Sequence, residues 1–278
     1  MTEKIDISVL LPTRGRPGAL EHCLTSLLNK AGSASRIEIL LAFDNDDLDH
    51  LVYFQDVIVP QLKQTGVSYT AFKFPRLGYL RLNEYLNELA KHARGDWMFF
   101  WNDDADMVTV NWDDVIVSYT GQLRLLRATT NHEHPYAIFP IVPAQWVKIT
   151  GHLSPHQIND AWVSQIGFML DIVETIPVHI HHDRFDLTGQ NNDNTYHERQ
   201  MLENLDANDT RDFNHATWRQ IRVNEAVKLA EYIERTENRL LTHFRQGLEG
   251  KINVWEKMIA LDVRNQMRIT AVHDKSSR

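Results

Sequence analysis

The spacing of apolar and polar positions changes period several times in the N-terminal third of the chain, and each change marks an element. Ile5 to Leu11 is a short apolar, β-rich run that stops at Pro12, which predicts a buried strand. After the turn TRGRPG, apolar residues recur at Leu20, Cys23, Leu24, Leu27 and Leu28, the spacing of one helical face, with Pro17 near the first turn. Arg36 to Phe43 predicts a second strand ending at Asp44, Leu48 to Leu62 a helix interrupted at Pro60, and Val67 to Phe72 a third strand. Tyr79 to His92 follows as a helix and Trp97 to Trp101 as a fourth strand.

This alternation with short connections predicts an α/β fold: a doubly wound, mostly parallel sheet with helices on both faces. Ligands in such sheets gather beyond the carboxyl ends of the strands. The polar groups that follow three of the strands are therefore expected along one edge: Thr13, Arg14 and Arg16, then Asp44 to Asp47, then Asn102 to Asp106. Further on, Trp112 to Leu126 predicts a helix, Tyr136 to Val142 a strand, and Trp162 to Leu170 a strand or extended segment with Gly167 near its centre. The stretch His179 to Arg199 is too long and too polar to be core. Beyond Asn214 the pattern is helical nearly to the end, with Ala226, Leu229, Ile233, Leu240, Leu241 and Phe244 as buried positions. The expected organisation is a main domain over residues 1–214, with halves 1–110 and 111–214, and a helical extension over 215–278.

Composition narrows the classes. The 278 residues are 43% apolar and 24% charged, enough to bury a sizeable core. The single cysteine, Cys23, excludes a disulfide framework within the chain and reads as a small core group. No run approaches the roughly 18 apolar residues that span a bilayer, and no secretory leader pattern is present, so a cytoplasmic, soluble protein is the expectation. The net charge of -8 argues against whole-surface attraction to nucleic acid, although residues 217–278 carry an excess of basic side chains.

The candidate chemistry centres on WNDDADM, residues 101–107, where three carboxylates follow an apolar strand. One Asp or Asn there is explained by a helix cap, and a solvated turn explains several; a divalent cation explains three, because hard oxygen ligands suit magnesium or manganese and the ion relieves their repulsion. Other nucleotide cradles are missing from the sequence: there is no GxxxxGK[ST], and PTRGRPG lacks the GxGxxG spacing. The cluster HIHH lacks the HExxH arrangement of zinc enzymes, and GxSxG is absent.

Five stretches resemble family-two nucleotide-sugar glycosyltransferases of the GT-A fold, in order along residues 5–200. They are ISVLLPTRGRPGALEHCLTSLL, LLAFDNDD, LGYLRLNEYLNELAKHARGDWMFFWNDDADM, VSQIGFMLDIVETI and TGQNNDNTYHER. The resemblance implies a nucleotide-binding set of Pro12, Thr13, Arg14, Arg16, Asp44, Arg81, Asn83 and Asp103. It also implies metal ligation by Asp104 and Asp106, joined by His182, an acceptor side at Trp162 and Gly167, and Asp193 as the base. Arg81 lies two residues before Asn83 rather than beside it, and Asn192 stands where Glu is common. The metal motif fits in two registers, Asn102 with Asp104 or Asp104 with Asp106.

The implied activity is an inverting, Mn2+- or Mg2+-dependent transfer from a nucleotide sugar, UDP-linked by family frequency, to an acceptor hydroxyl. The acceptor class stays open among glycan, protein, small molecule and nucleic-acid base, as does the oligomeric state. Two other classes stay in view: a sugar-nucleotide nucleotidyltransferase, and a non-catalytic nucleotide-binding module of the same fold.

Overall fold

A computed structural model describes residues 4–132, 134–183, 197–198 and 209–237. Among these residues eight strands form one sheet, built outward from β1 (Ile7–Thr13). It lies between β2 (Ile37–Asp44) and β4 (Trp97–Phe100), with β3 (Ser68–Phe74) outside β2, and these four strands are parallel. The expected β/α alternation supplies their crossovers: α1 (Pro17–Asn29), a helical run over Leu48–Thr65, and α4 (Leu82–His92).

The remaining strands are mixed in direction. Beyond β4 come β7 (Pro140–Pro143), β6 (Leu125–Thr130), β8 (Val173–His182) and β5 (Ala105–Met107). The pairs β4–β7, β6–β7 and β5–β8 are antiparallel, while β6–β8 is parallel. The antiparallel β5–β8 pair matters for the site, because it sets His182 opposite Ala105 beside the acidic stretch.

Alternating side chains divide the core between the two faces of the sheet. Ile7, Val9 and Leu11 of β1 pack with Leu20, Cys23, Leu24 and Leu27 of α1. Leu10 faces the other way, toward Tyr85, Leu86 and Leu89 of α4 and toward α7 (Asn159–Met169) and α8 (Ala216–Glu237). Ala226, Leu229 and Ile233 of α8 are buried as expected; Leu240, Leu241 and Phe244 lie outside the described residues. Among the described residues no helix is long and apolar enough to cross a membrane.

Several expectations are corrected. Pro12 does not end the first strand: it pairs with Ala42, and its missing N–H is tolerated because the β1–β4 pairing stops at Leu10 opposite Phe100. The helix expected over Leu48–Leu62 is present and runs on to Thr65 past Pro60. A π-helical turn at Phe54–Ile58 leads into a helix beginning at Val59, so Pro60 falls in a first turn where no donor is needed. The helix expected over Trp112–Leu126 stops at Val117, and Leu125 and Leu126 join β6 through pairing with β8 and β7. Only the end of the expected strand Tyr136–Val142 is extended, as β7.

Trp162–Leu170 is helical rather than extended. Ala161 to Gly167 are all buried, the polar Ser164 and Gln165 among them, so no solvent face marks the helical period in the sequence. His179 to His182 belong to β8, with Ile180 and His182 buried, so the polar section begins later than its composition suggests.

Candidate active site

Three parallel strands end side by side, and the loops after β1, β2 and β4 meet there as expected. Arg14 joins the first two loops: Nη1 donates to Asp44 Oδ2 (2.8 Å) and to Asp46 Oδ1 (2.5 Å), and the backbone N–H of Gly15 donates to Asp47 Oδ2 (2.6 Å). Asp44 is only 3% exposed, and its Oδ1 accepts a short hydrogen bond from the Tyr85 hydroxyl. This carboxylate is thus buried with both oxygens paired, as a buried polar group must be.

The loop after β4 is ordered by the first loop. Thr13 Oγ1 donates to Asp103 Oδ2 (2.7 Å), and Arg16 Nη1 donates to Asp103 Oδ1 (3.0 Å). From Trp101 to Met107 burial alternates, with Trp101, Asp103, Ala105 and Met107 buried, Asp104 and Asp106 half-buried and Asn102 exposed. Asp103 braces the protein through Thr13 and Arg16, while the residues of both possible metal-motif registers are the less buried ones.

Asp104 stands between His182 and Arg16. Its Oδ1 is 3.3 Å from His182 Nε2 and its Oδ2 is 3.7 Å from Arg16 Nη1. Burial works to raise the Asp104 pKa, but His182 and Arg16 outweigh it and hold the carboxyl below its usual value. His182 is fixed by its backbone: its N–H donates to Asn131 Oδ1 (2.8 Å), and Asn131 Nδ2 donates back to the His182 carbonyl (3.3 Å). Asp106 is 3.2 Å from the exposed His22.

Cation ligation can be tested on these atoms. Among the described residues no three His, Cys, Asp or Glu side chains are gathered as a ready ligand set. Yet Asp104 Oδ1 and His182 Nδ1 are buried atoms without a hydrogen-bond partner, and the 3.3 Å approach of His182 to Asp104 lacks hydrogen-bond geometry. An unsatisfied carboxylate oxygen beside an imidazole, with Asp106 close by in sequence, fits a magnesium- or manganese-class ion that draws its other ligands from phosphate and water.

Residues 8–109 match the model of glycosyl transferase family 2, a range that runs from β1 through the acidic stretch. The match is to that family's model over this segment, little more than a third of the chain. Solved structures share the fold. The Staphylococcus aureus TarS 1–349 complex with UDP-GlcNAc aligns at TM-score 0.57 and 12% identity, over 90% of this chain and 72% of that one. The Pyrobaculum calidifontis mannosyltransferase PcManGT, in complex with GDP-Man and Mn2+, aligns at TM-score 0.53 and 10% identity, over 98% of this chain and 87% of that one. Against the longer TarS chain, at TM-score 0.50 and 12% identity, the match covers 83% of this chain but only 43% of TarS. No curated protein sequence matches the chain.

Within the matched segment, Pro12, Thr13, Arg14, Arg16, Asp44, Asp103, Asp104 and Asp106 come together, and β8 adds His182. Asn83 is half-buried in the first turn of α4. Arg81 is exposed and points into a bidentate pair with Glu84 (2.5 Å at both nitrogens), away from these groups. Trp162 is fully buried and donates its indole N–H to Glu225 Oε2 (2.9 Å), and a Cβ on Gly167 would meet Leu125 Cδ2 at 2.8 Å. Neither has a free face for an acceptor, because α7 is enclosed by β6, β8 and α8. Asp193 lies outside the described residues.

Tyr85 escaped the sequence reading, as did the Cys23 thiol beneath the acidic loop. Tyr85 has a legible signal: a tyrosine on the buried face of an amphipathic helix must find a partner for its hydroxyl. Nothing in the sequence signals that the partner is Asp44.

Proposed function

We propose that the protein is a metal-dependent, inverting glycosyltransferase that takes a sugar from a nucleotide diphosphate donor, UDP-linked, and moves it to an acceptor hydroxyl. One observation carries this reading most directly. The segment that matches the family 2 model ends in a carboxylate cluster whose central member, Asp104, has a buried oxygen without a hydrogen-bond donor. Two proteins of the same fold hold a nucleotide sugar, and one of them holds Mn2+.

In this reading Arg14 orients Asp44 toward the nucleobase, where its side-chain oxygen accepts the ring N–H of uracil. Thr13 and Arg16 hold the acidic loop against β1. Asp104, with Asp106 or Asn102 and with His182, would hold the cation. A divalent ion there supplies charge neutralisation for the departing diphosphate. The acceptor oxygen bonds to the anomeric carbon as the carbon–phosphate oxygen bond breaks on the opposite face. Asp193 takes the acceptor proton, and the nucleoside diphosphate leaves with the bonding electrons.

The test is release of nucleoside diphosphate from UDP and GDP sugars in Mn2+. Wild-type protein is expected to bind UDP only with the metal present and to hydrolyse or transfer the sugar, and Asp104→Ala is expected to lower that rate by about a hundredfold or more. An Asp104→Ala protein with wild-type rate and metal dependence would refute the assignment. Pyrophosphate release from sugar phosphate and a nucleoside triphosphate would transfer it to the nucleotidyltransferases.

A further inference from the structure

The loop between β3 and the 3-10 turn Tyr79–Arg81 is gripped by a carboxylate from far along the chain. Glu198 Oε1 accepts from Arg76 Nη2 at 2.6 Å, and Glu198 Oε2 accepts from the backbone N–H of Tyr79 at 2.7 Å. Both bonds end on one carboxyl group, and the Arg76 guanidinium is among its donors, the pairing that holds a loop most firmly. Gly78 sits under this carboxylate at φ 71°, and a Cβ there would lie 2.7 Å from Glu198 Oε2. A side chain at that position is opposed by its own backbone conformation and by the glutamate.

The other side of the same loop faces Asp44. The Leu77 N–H donates to the Tyr85 hydroxyl oxygen (2.8 Å), and the hydroxyl donates to Asp44 Oδ1. A hydroxyl has one proton; with Leu77 directed at its lone pair, that proton is aimed at the carboxylate. Phe74, the last residue of β3, packs edge-on against the Tyr85 ring with centroids 5.3 Å apart, and its carbonyl accepts from the Asn45 N–H (2.7 Å). The loop over residues 75–79 is thus fixed by Glu198 on one side and fixes Tyr85, and through it Asp44, on the other.

We propose that Glu198 is a positioning residue for the nucleoside pocket: by pinning Arg76 and Tyr79 it sets the Tyr85 hydroxyl on Asp44 and so tunes donor affinity from outside the donor site. The inference rests on the reading above that Asp44 faces the nucleoside. Glu198 itself makes no bond to any residue of the candidate catalytic face among its described contacts. Its effect is therefore expected in donor binding and donor KM rather than in the chemical step.

The test uses the full chain and two readouts. Calorimetric titration with UDP in Mn2+ compares wild type, Glu198→Gln, Gly78→Ala, the double variant and Tyr85→Phe. Amide exchange of the unliganded proteins, read over residues 75–85, reports the loop without any ligand. Glu198→Gln and Gly78→Ala are each expected to speed exchange at Leu77 and Tyr79 and to weaken UDP about tenfold, and the double variant is expected to be no weaker than the worse single one, since both break one contact. Tyr85→Phe is expected to weaken UDP while leaving Tyr79 exchange slow. Wild-type affinity in Glu198→Gln and Gly78→Ala overturns the inference and leaves the proposed function standing. Faster exchange throughout the chain, with affinity lost only in step with thermal stability, also overturns it by reducing Glu198 to a general staple. A wild-type protein that binds no nucleotide at all defeats the donor reading first, and this inference with it.

Discussion

At the residue scale, Cys23 shows how an apolar position acquires a second task. Its thiol accepts the Trp101 indole N–H (3.0 Å) and donates to the Asn102 carbonyl (3.4 Å), while Ser26, one helical turn on, accepts the Met107 N–H (3.0 Å). Both ends of the acidic stretch are therefore tied to α1. Burial pushes the Cys23 thiol well up, so it stays protonated and keeps its donor. The single cysteine makes this measurable: a thiol reagent is expected to find no reactive group in the native protein and one after denaturation. Cys23→Ala is expected to cost about 1–3 kcal/mol in chemical denaturation, because the Trp101 N–H loses its buried acceptor. The helical spacing of Leu20, Cys23, Leu24 and Leu27 made the burial of Cys23 legible. Its contacts with residues 101 and 102 were not, since they depend on which strand α1 packs against.

At the scale of elements, local pattern was a good guide wherever an element has one wet face and a poor one where it has none. The buried face of α1 came directly from periodicity, because polar residues mark the opposite side, and so did the end of α4 at His92, although residues 79–81 form a 3-10 turn before it. The helix α7 has almost no polar face to mark, and its Gly167 read as a feature of an extended segment. In the structure Gly167 allows the closest approach of α7 to the sheet: a methyl group at that position would lie 2.8 Å from Leu125 Cδ2 and 3.0 Å from Val173 Cγ2. Helix propensity alone favours alanine over glycine by about 1 kcal/mol. The packing reverses the sign: Gly167→Ala is expected to destabilise by about 1–3 kcal/mol in thermal or urea denaturation. An unchanged or raised stability would show that β6 and β8 yield freely.

At the scale of the whole molecule, residues that join distant parts of the chain decide how it responds to its surroundings. His156 is buried between the turn before α7 and the segment leading into α8, with Phe213 and Trp218 edge-on to its ring. Its Nδ1 accepts from the Ile158 N–H (3.2 Å), so Nε2 carries the proton and donates to the Arg211 carbonyl (3.0 Å). Burial pushes its pKa from 6.5 down to about 4; the Arg211 carbonyl opposes it, Arg222 adds to it, and Asp212 opposes it least. The unfolded chain then binds a proton between those values that the folded chain refuses, so stability is complete above about pH 6.5 and falls as pH drops toward 4. The expected loss is on the order of 2–3 kcal/mol, read as the part of the acid destabilisation that disappears in His156→Asn.

The sequence by itself determined the α/β alternation, the parallel first half of the sheet and the polar strand ends at Thr13 to Arg16, Asp44 to Asp47 and Asn102 to Asp106, because these follow from hydrophobic period and from short connections. It also placed Asp104 in both metal-motif registers. Only the tertiary structure decided that Asp103 turns inward to Thr13 and Arg16, that His182 arrives from an antiparallel strand, and that Tyr85 and Glu198 stand behind Asp44. Those pairings join residues tens of positions apart, and no local period encodes a partner that only sheet order and strand register bring into reach.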